Sequence, residues 1–257
     1  MSSITQGEAA TPRTDRDNIL DFLAPYYQAG CVVSPDGRRL EIENGIDPKE
    51  VLFLYDLIAS DKSVSLTLEV GCGLGFSAYA ICSALRTRDG RHTIVDPFQE
   101  RLFGRAGTAL VEKAGLDNFI LVERGSEFYL PELAEGEPGQ LDLVFIDGLH
   151  TFDHTMIDLF YASRLIRVGG YIVIDDCSWP MVSRAVSYVA QYPAYEFFAG
   201  VPEQHWKGVA RRLISSAFDV APAAVGKKYP NRWRFPRMVA LKKLGEDNRP
   251  SDWRARF

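Results

Sequence analysis

Glu69-Val70-Gly71-Cys72-Gly73-Leu74-Gly75 is the stretch that decides the fold. It follows an apolar run, Leu66-Thr67-Leu68, and opens into the helix-like Ser77-Ala78-Tyr79-Ala80-Ile81. Glycines at a strand-to-helix turn let the backbone pass close to a ligand, because no side chain intervenes. A dinucleotide-binding turn reads G-x-G-x-x-G, with its last glycine seating a pyrophosphate on the helix N-terminus. Here the last glycine comes one residue early, and Phe76 takes the place that pattern reserves for it. Glu69, just before the turn, would repel a pyrophosphate and favour a cationic ligand. A nicotinamide-dependent oxidoreductase is therefore disfavoured.

Outward from this turn, apolar runs alternate with helical segments. Strands are predicted at Leu66–Val70, His92–Val95, Phe119–Val122, Leu141–Ile146 and Tyr171–Ile174. Continuous runs such as Leu143-Val144-Phe145-Ile146 suit strands buried on both faces of a parallel sheet. Helices are predicted at Ser77–Arg86, about Arg101 to Ala114, near Glu127–Leu133 and at Thr151–Ile166. This order gives an α/β, doubly wound sheet whose ligand lies at the carboxyl ends of the strands. Upstream, a helix is expected from Arg16 to Gln28. Asp47-Pro48-Lys49-Glu50 starts another with a capping box, ahead of Val51, Leu54, Tyr55 and Ile58 on one face. Downstream, Met181–Gln191 suits a helix, and Tyr195–Phe198 and Met238–Leu241 suit strands.

The chain has 257 residues, 46% of them hydrophobic, enough for one well-cored domain with extensions. Residues 1–14 read as a disordered leader, 15–60 as a helical cap, 61–244 as the ligand-binding domain and 245–257 as a polar tail. Within that domain, 201–236 is a long insertion mixing aromatic and basic residues, from Trp206 and Arg211 to Trp233 and Arg234; a lid or a dimer contact is the favoured reading. The net charge of −5 argues against a nucleic-acid partner. No apolar run is long enough to span a membrane. Cys31, Cys72, Cys82 and Cys177 form no C-x-x-C pair and the N-terminus has no signal-peptide pattern, so free thiols in a cytoplasmic protein are expected. The oligomeric state is open, a homo-oligomer included.

The strand ends carry the candidate chemistry. Asp96 ends the second strand, where a carboxylate can accept both hydroxyls of a ribose. Pro97, Phe98 and Gln99 follow it and would line the base. Asp147 ends the fourth strand, and Asp175 and Asp176 end the fifth. Three neighbouring carboxylates would repel one another and raise at least one pKa. A hard divalent cation such as Mg²⁺ relieves that repulsion through oxygen ligands. In the alternative reading Asp147 holds an ammonium group while Asp175 or Asp176 caps a helix. His150, expected at a helix N-terminus, would be kept neutral by the helix dipole and ready to accept a proton. His154, one turn on, is the runner-up.

The pattern of Glu69, Gly71, Gly73 and Gly75 resembles the first motif of class I S-adenosylmethionine-dependent methyltransferases, whose ligand carries a sulfonium and an ammonium but no phosphate. With Asp147-Gly148-Leu149-His150 and Gly169–Asp176, it looks like a small-molecule branch that includes macrolide-sugar and cephalosporin-type tailoring enzymes. The resemblance implies a Rossmann-like sheet whose last strand runs antiparallel in a hairpin. It implies S-adenosylmethionine held by Glu69, Gly71, Gly73, Gly75, Phe76, Ser77, Asp96, Pro97, Phe98, Gln99 and Asp147. Ser126 would border the adenine, although it could equally cap the following helix. It also implies magnesium on Asp147, Asp175 and Asp176, with Asp147 and His150 as the catalytic pair and His150 as base. The expected reaction is O-methylation of a small hydroxylated metabolite. The alternatives are metal-independent methylation, or binding of the same cofactor for nontransfer chemistry such as cyclisation.

Overall fold

The expected alternation of strands and helices is realised in the computed structural model, which describes residues 15–42, 45–136, 138–202 and 235–253. The leader at 1–14 and the part of the insertion from 203 to 234, with His205 and Trp206, lie outside the described residues. The chain begins with α1 (Asp15–Ala29), a short hairpin of β1 (Cys31–Val33) and β2 (Arg39–Glu41), and α2 (Pro48–Ser60). Then come β3 (Leu66–Val70), α3 (Phe76–Leu85), β4 (Arg91–Val95), α4 (Ala106–Lys113), β5 (Phe119–Val122) and α5 (Ser126–Gly136). The second half holds β6 (Leu141–Ile146), α6 (Phe152–Leu165), β7 (Ile166–Ile174), α7 (Pro180–Val189), β8 (Tyr195–Val201) and β9 (Met238–Lys243). The Asp47–Glu50 capping box forms as expected: Asp47 accepts from the Lys49 and Glu50 N–H groups, and Glu50 accepts from the Asp47 N–H.

Seven strands make one sheet in the order β5-β4-β3-β6-β7-β9-β8. Pairings from β5 to β7 are parallel, and β9 lies antiparallel between β7 and β8. The antiparallel last strand is therefore present. Side chains alternate between two cores, as a strand's period of two requires. Leu143, Phe145, Tyr171 and Val173 face α1 to α4, while Val144, Ile146, Ile172 and Ile174 face α5 to α7. Every residue of β6 is buried, which explains its unbroken apolar run. Among the described residues no helix is long and apolar enough to cross a membrane.

The structure departs from the sequence reading at several edges. The β1–β2 hairpin was not anticipated, because its strands are only three residues each. α4 begins at Ala106 rather than near Arg101, since Asp96, Gln99 and Arg38 hold the intervening chain in turns. The Phe98 N–H donates to Asp96 Oδ1, the Arg105 N–H to the Gln99 carbonyl, and Arg38 to the carbonyls of residues 100–102. β7 extends back to Ile166, directly after α6.

The glycine turn sits where the chain changes direction across the sheet, between β3 and β6. All three of its glycines have positive φ. A Cβ on Gly71 would lie 2.1 Å from the Asp147 carbonyl oxygen, whereas one on Gly73 would meet nothing within 4 Å. Gly71→Ala is thus expected to cost on the order of 3 kcal/mol or more, and Gly73→Ala only about 1–2 kcal/mol. Urea denaturation of the two variants measures the difference; equal losses would contradict this assignment.

Candidate active site

Register brings the strand ends into one row. Val70 is level with Val95 on one side and Ile146 on the other, and Ile146 is level with Ile174. The next residues, Gly71, Asp96, Asp147 and Asp175, therefore share one edge of the sheet. Backbone bonds continue the ladder past the strands. Gly71 N–H donates to Val95 O (2.9 Å), Asp147 N–H to Val70 O (2.9 Å) and Asp175 N–H to Ile146 O (3.0 Å).

On the glycine side, Glu69 is fully buried and neither of its carboxylate oxygens has a hydrogen-bond partner. His92 Nε2, which also lacks a hydrogen-bond partner, stands 3.6 Å from its Oε2. A buried carboxylate with unused acceptors fits a ligand that brings a cation or donors. Asp96 is buried and already engaged. Its Oδ2 accepts from the Cys72 and Gly73 N–H groups, both at 3.1 Å, and from Gln99 Nε2 at 2.9 Å. Its Oδ1 accepts only the Phe98 N–H, at 2.8 Å, and retains a lone pair for an incoming hydroxyl. Gln99 Oε1, also buried, has no partner.

Other sequence candidates are placed differently. Gly71 and Gly75 serve close backbone approach, to Asp147 and Gly107 respectively, and it is Gly73 that faces open space. Phe76 turns into the core against Tyr26 and Tyr27 of α1, because the helix begins there with its apolar face inward. Ser77 is buried, Pro97 is exposed and Phe98 is half-buried. Ser126 opens α5 and hydrogen-bonds Asp158, a buried carboxyl pushed up to about 6 chiefly by desolvation. An apolar groove of about 740 Å³ between α1, β1 and α4 shares no lining residue with the strand-end acids.

On the acid side, Asp147, His150 and Asp176 each offer a ligand atom, all within 4.8 Å of one another. His150 Nε2 lies 3.4 Å from Asp147 Oδ1 and 3.2 Å from Asp176 Oδ2. Asp175 is not in this group: its Oδ1 accepts the Asp176 N–H at 2.8 Å. Asp176 adopts φ 50°, a left-handed conformation uncommon outside glycine, which turns its carboxylate toward His150. His154 instead contacts Thr151, the N-cap of α6, at 2.8 Å. Three residues complete the mouth: Glu50, which the sequence marked only structurally, and Arg237 and Trp179, which it did not mark at all. Arg237 precedes β9, and its Nε lies 2.7 Å from Glu50 Oε1. The Trp179 ring stands 5.1 Å from that of His150.

The electrostatics correct one expectation. At His150 the hydrogen bond to Asp147 raises the pKa from its ordinary 6.5, burial opposes this, and the charges of Asp147 and Asp176 add to the rise, against the lowering expected from a helix end. Burial raises Asp147, and raises Asp175 well above the usual carboxylate range, with the neighbouring carboxylates adding to both. Glu50 is pushed from 4.5 up to about 7, mainly by desolvation. Each group binds its proton more tightly folded than unfolded. Each therefore adds stability below its ordinary pKa, and that stability fades as pH rises through the raised value. The metal-free protein is expected to lose thermal stability from about pH 5 to about pH 8, and Glu50→Gln to flatten the trend. An unfolding temperature that climbs across that window would contradict it.

Residues 68–177 match the family described as "Methyltransferase domain". The chain is 31% identical over 146 residues to tricin synthase 1 of Oryza sativa subsp. japonica, an alignment covering 54% of each protein. The chain thus spans about half the length of that curated relative. Its fold resembles the O-methyltransferase TomG from Streptomyces achromogenes, solved with SAM, at TM-score 0.58 and 16% identity, covering 91% of this chain and 92% of that one. It also resembles an O-methyltransferase from Bacillus cereus in complex with SAH, at TM-score 0.55 and 16% identity, covering 75% and 86%. The strand order and the glycine turn agree with this match to a methyltransferase domain over residues 68–177, and the two solved O-methyltransferases share the fold.

Proposed function

We propose that the protein is an S-adenosylmethionine-dependent O-methyltransferase acting on a hydroxyl of a small metabolite. The observation that carries this reading is the placement of His150 between two carboxylates, in the same row of strand ends as the glycine turn. The residues of the glycine side suit the cofactor. Glu69 offers unused acceptors to its cationic end, Gly73 leaves room for its approach, and Asp96 Oδ1 and Gln99 Oε1 can take a ribose hydroxyl and a further donor.

The acid side also fits a hard divalent cation, since oxygen donors from Asp147 and Asp176 converge with His150. Asp147 and Asp176 would hold it, and Asp175 could join only by giving up the Asp176 N–H. Magnesium bound there would lower the pKa of an acceptor hydroxyl. The chain's own part is proton transfer and positioning. His150 Nε2 takes the hydroxyl proton as the oxygen attacks the methyl carbon in line, and the sulfur departs with the carbon–sulfur bonding pair. The resulting imidazolium lies between Asp147 and Asp176, whose charges stabilise it. Because the sulfonium is already activated, orientation can supply much of the acceleration.

Leu149, Phe152, Trp179 and Met181 are exposed apolar residues, and the Trp179 ring stands beside His150. They follow the two acid-bearing strand ends and suit an acceptor with an apolar body. His150→Ala is expected to cut S-adenosylhomocysteine formation on the order of a hundredfold while cofactor affinity stays within about twofold. Unchanged turnover would remove His150 from the mechanism. Trp179→Ala should raise the acceptor KM about tenfold with kcat less affected, read by steady-state kinetics on an accepted substrate.

A further inference from the structure

Antiparallel register delivers a guanidinium into the acid group. Ile174 of β7 faces Val239 of β9, so Arg237, two residues before Val239, falls beside Asp176, two residues after Ile174. The Cys177 N–H fixes this arrangement by donating to the Arg237 carbonyl at 2.7 Å. Arg237 Nε then lies 3.7 Å from Asp176 Oδ1 and 3.9 Å from Asp175 Oδ1, as well as 2.7 Å from Glu50 Oε1. Its Nη2 donates to the Gly45 carbonyl at 3.2 Å.

Glu50 is held rigidly on the other side. It is fully buried, and its Oε2 accepts the Asp47 N–H at 2.7 Å to close the capping box of α2. Neither Glu50 Oε1 nor Arg237 Nε has an aligned hydrogen-bond partner, so their attraction is ionic rather than directional. The guanidinium lies closest to Glu50, at 2.7 Å, with the aspartate pair about an ångström farther away, at 3.7 and 3.9 Å. Asp176 is likewise divided: one oxygen faces Arg237 and the other faces His150.

We propose that Arg237 is a tethered counter-cation of this site, competing with a divalent cation for Asp176, while Glu50 holds the guanidinium back from it. The inference rests on the metal-assisted reading above. At separations near 4 Å, in a mouth only partly open to solvent, unit charges interact strongly and salt screens them little. A divalent ion approaching Asp176 meets both the repulsion of Arg237 and a carboxylate whose charge is already partly satisfied. Arg237 acts through Asp176, as a positioning residue rather than a catalytic one.

The test is titration of the full chain with Mn²⁺ alone, without cofactor or acceptor, following free Mn²⁺ by electron paramagnetic resonance. Arg237→Met is expected to bind at least about tenfold more tightly than wild type, and Arg237→Lys, which keeps the charge, to stay within about threefold. Glu50→Gln preserves the capping box but releases the guanidinium, and should weaken binding about threefold or more. In the Arg237→Met background the Glu50→Gln effect should shrink below about twofold, because it acts through Arg237. A purely structural role would move both single variants in the same direction. If the methionine variant does not fold, Arg237→Gln takes its place in the series. Wild-type binding with no gain on removing Arg237 overturns the proposal and leaves the metal reading standing. No binding by any of these proteins at millimolar Mn²⁺ removes both.

Discussion

The site depends on the close approach of two backbones at the ends of β3 and β6. Asp147 N–H donates to Val70 O, and the Asp147 carbonyl lies where a Cβ on Gly71 would have to be. No side chain can stand at position 71, so the strand that carries the glycine turn and the strand that carries Asp147 end side by side. Parallel register then adds Asp96 on one flank and Asp175 on the other. The glycine turn and His150, which lies beyond Asp147, are neighbours for this reason.

That arrangement concentrates negative charge. Glu50, Asp147, Asp175 and Asp176 crowd one mouth, and burial makes each charge costly. The structure offsets this in two ways. Protons are held longer on Glu50, Asp147 and Asp175, and two basic side chains, His150 and Arg237, are set among the carboxylates. The pKa of His150 is consequently governed by its carboxylate neighbours. Those carboxylates stand 3.4 and 3.2 Å from its Nε2.

Much of the sheet was legible in the chain. The apolar run Leu143–Ile146 marked β6, the glycine turn marked the end of β3, and the Asp47–Glu50 signature marked the start of α2, because these depend on neighbours in sequence. The β1–β2 hairpin and the late start of α4 were not legible. The first is too short to show a period, and the second is set by Arg38, which reaches across about sixty residues to the carbonyls of 100–102. In the site, Asp147, Asp176 and His150 were legible as residues at strand ends. Phe76 was misplaced, since a turn motif does not reveal which face of the next helix is buried. Arg237 carried no local signal at all.

Sequence by itself determined the alternation of strands and helices and which residues end the strands. Alternating strands and helices, a glycine turn with an early third glycine, and an acid before it are local facts of residue type and spacing. Tertiary structure alone decided how the charges meet. It turned Asp175 to the N–H of its own neighbour, put Asp176 in a left-handed conformation facing His150, and left Asp96 one oxygen with capacity to spare. Through an antiparallel register across the last strands, it also placed Arg237 against Glu50. These outcomes rest on pairings between segments far apart in the chain, and a carboxylate's partners depend on distances that spacing in sequence does not encode.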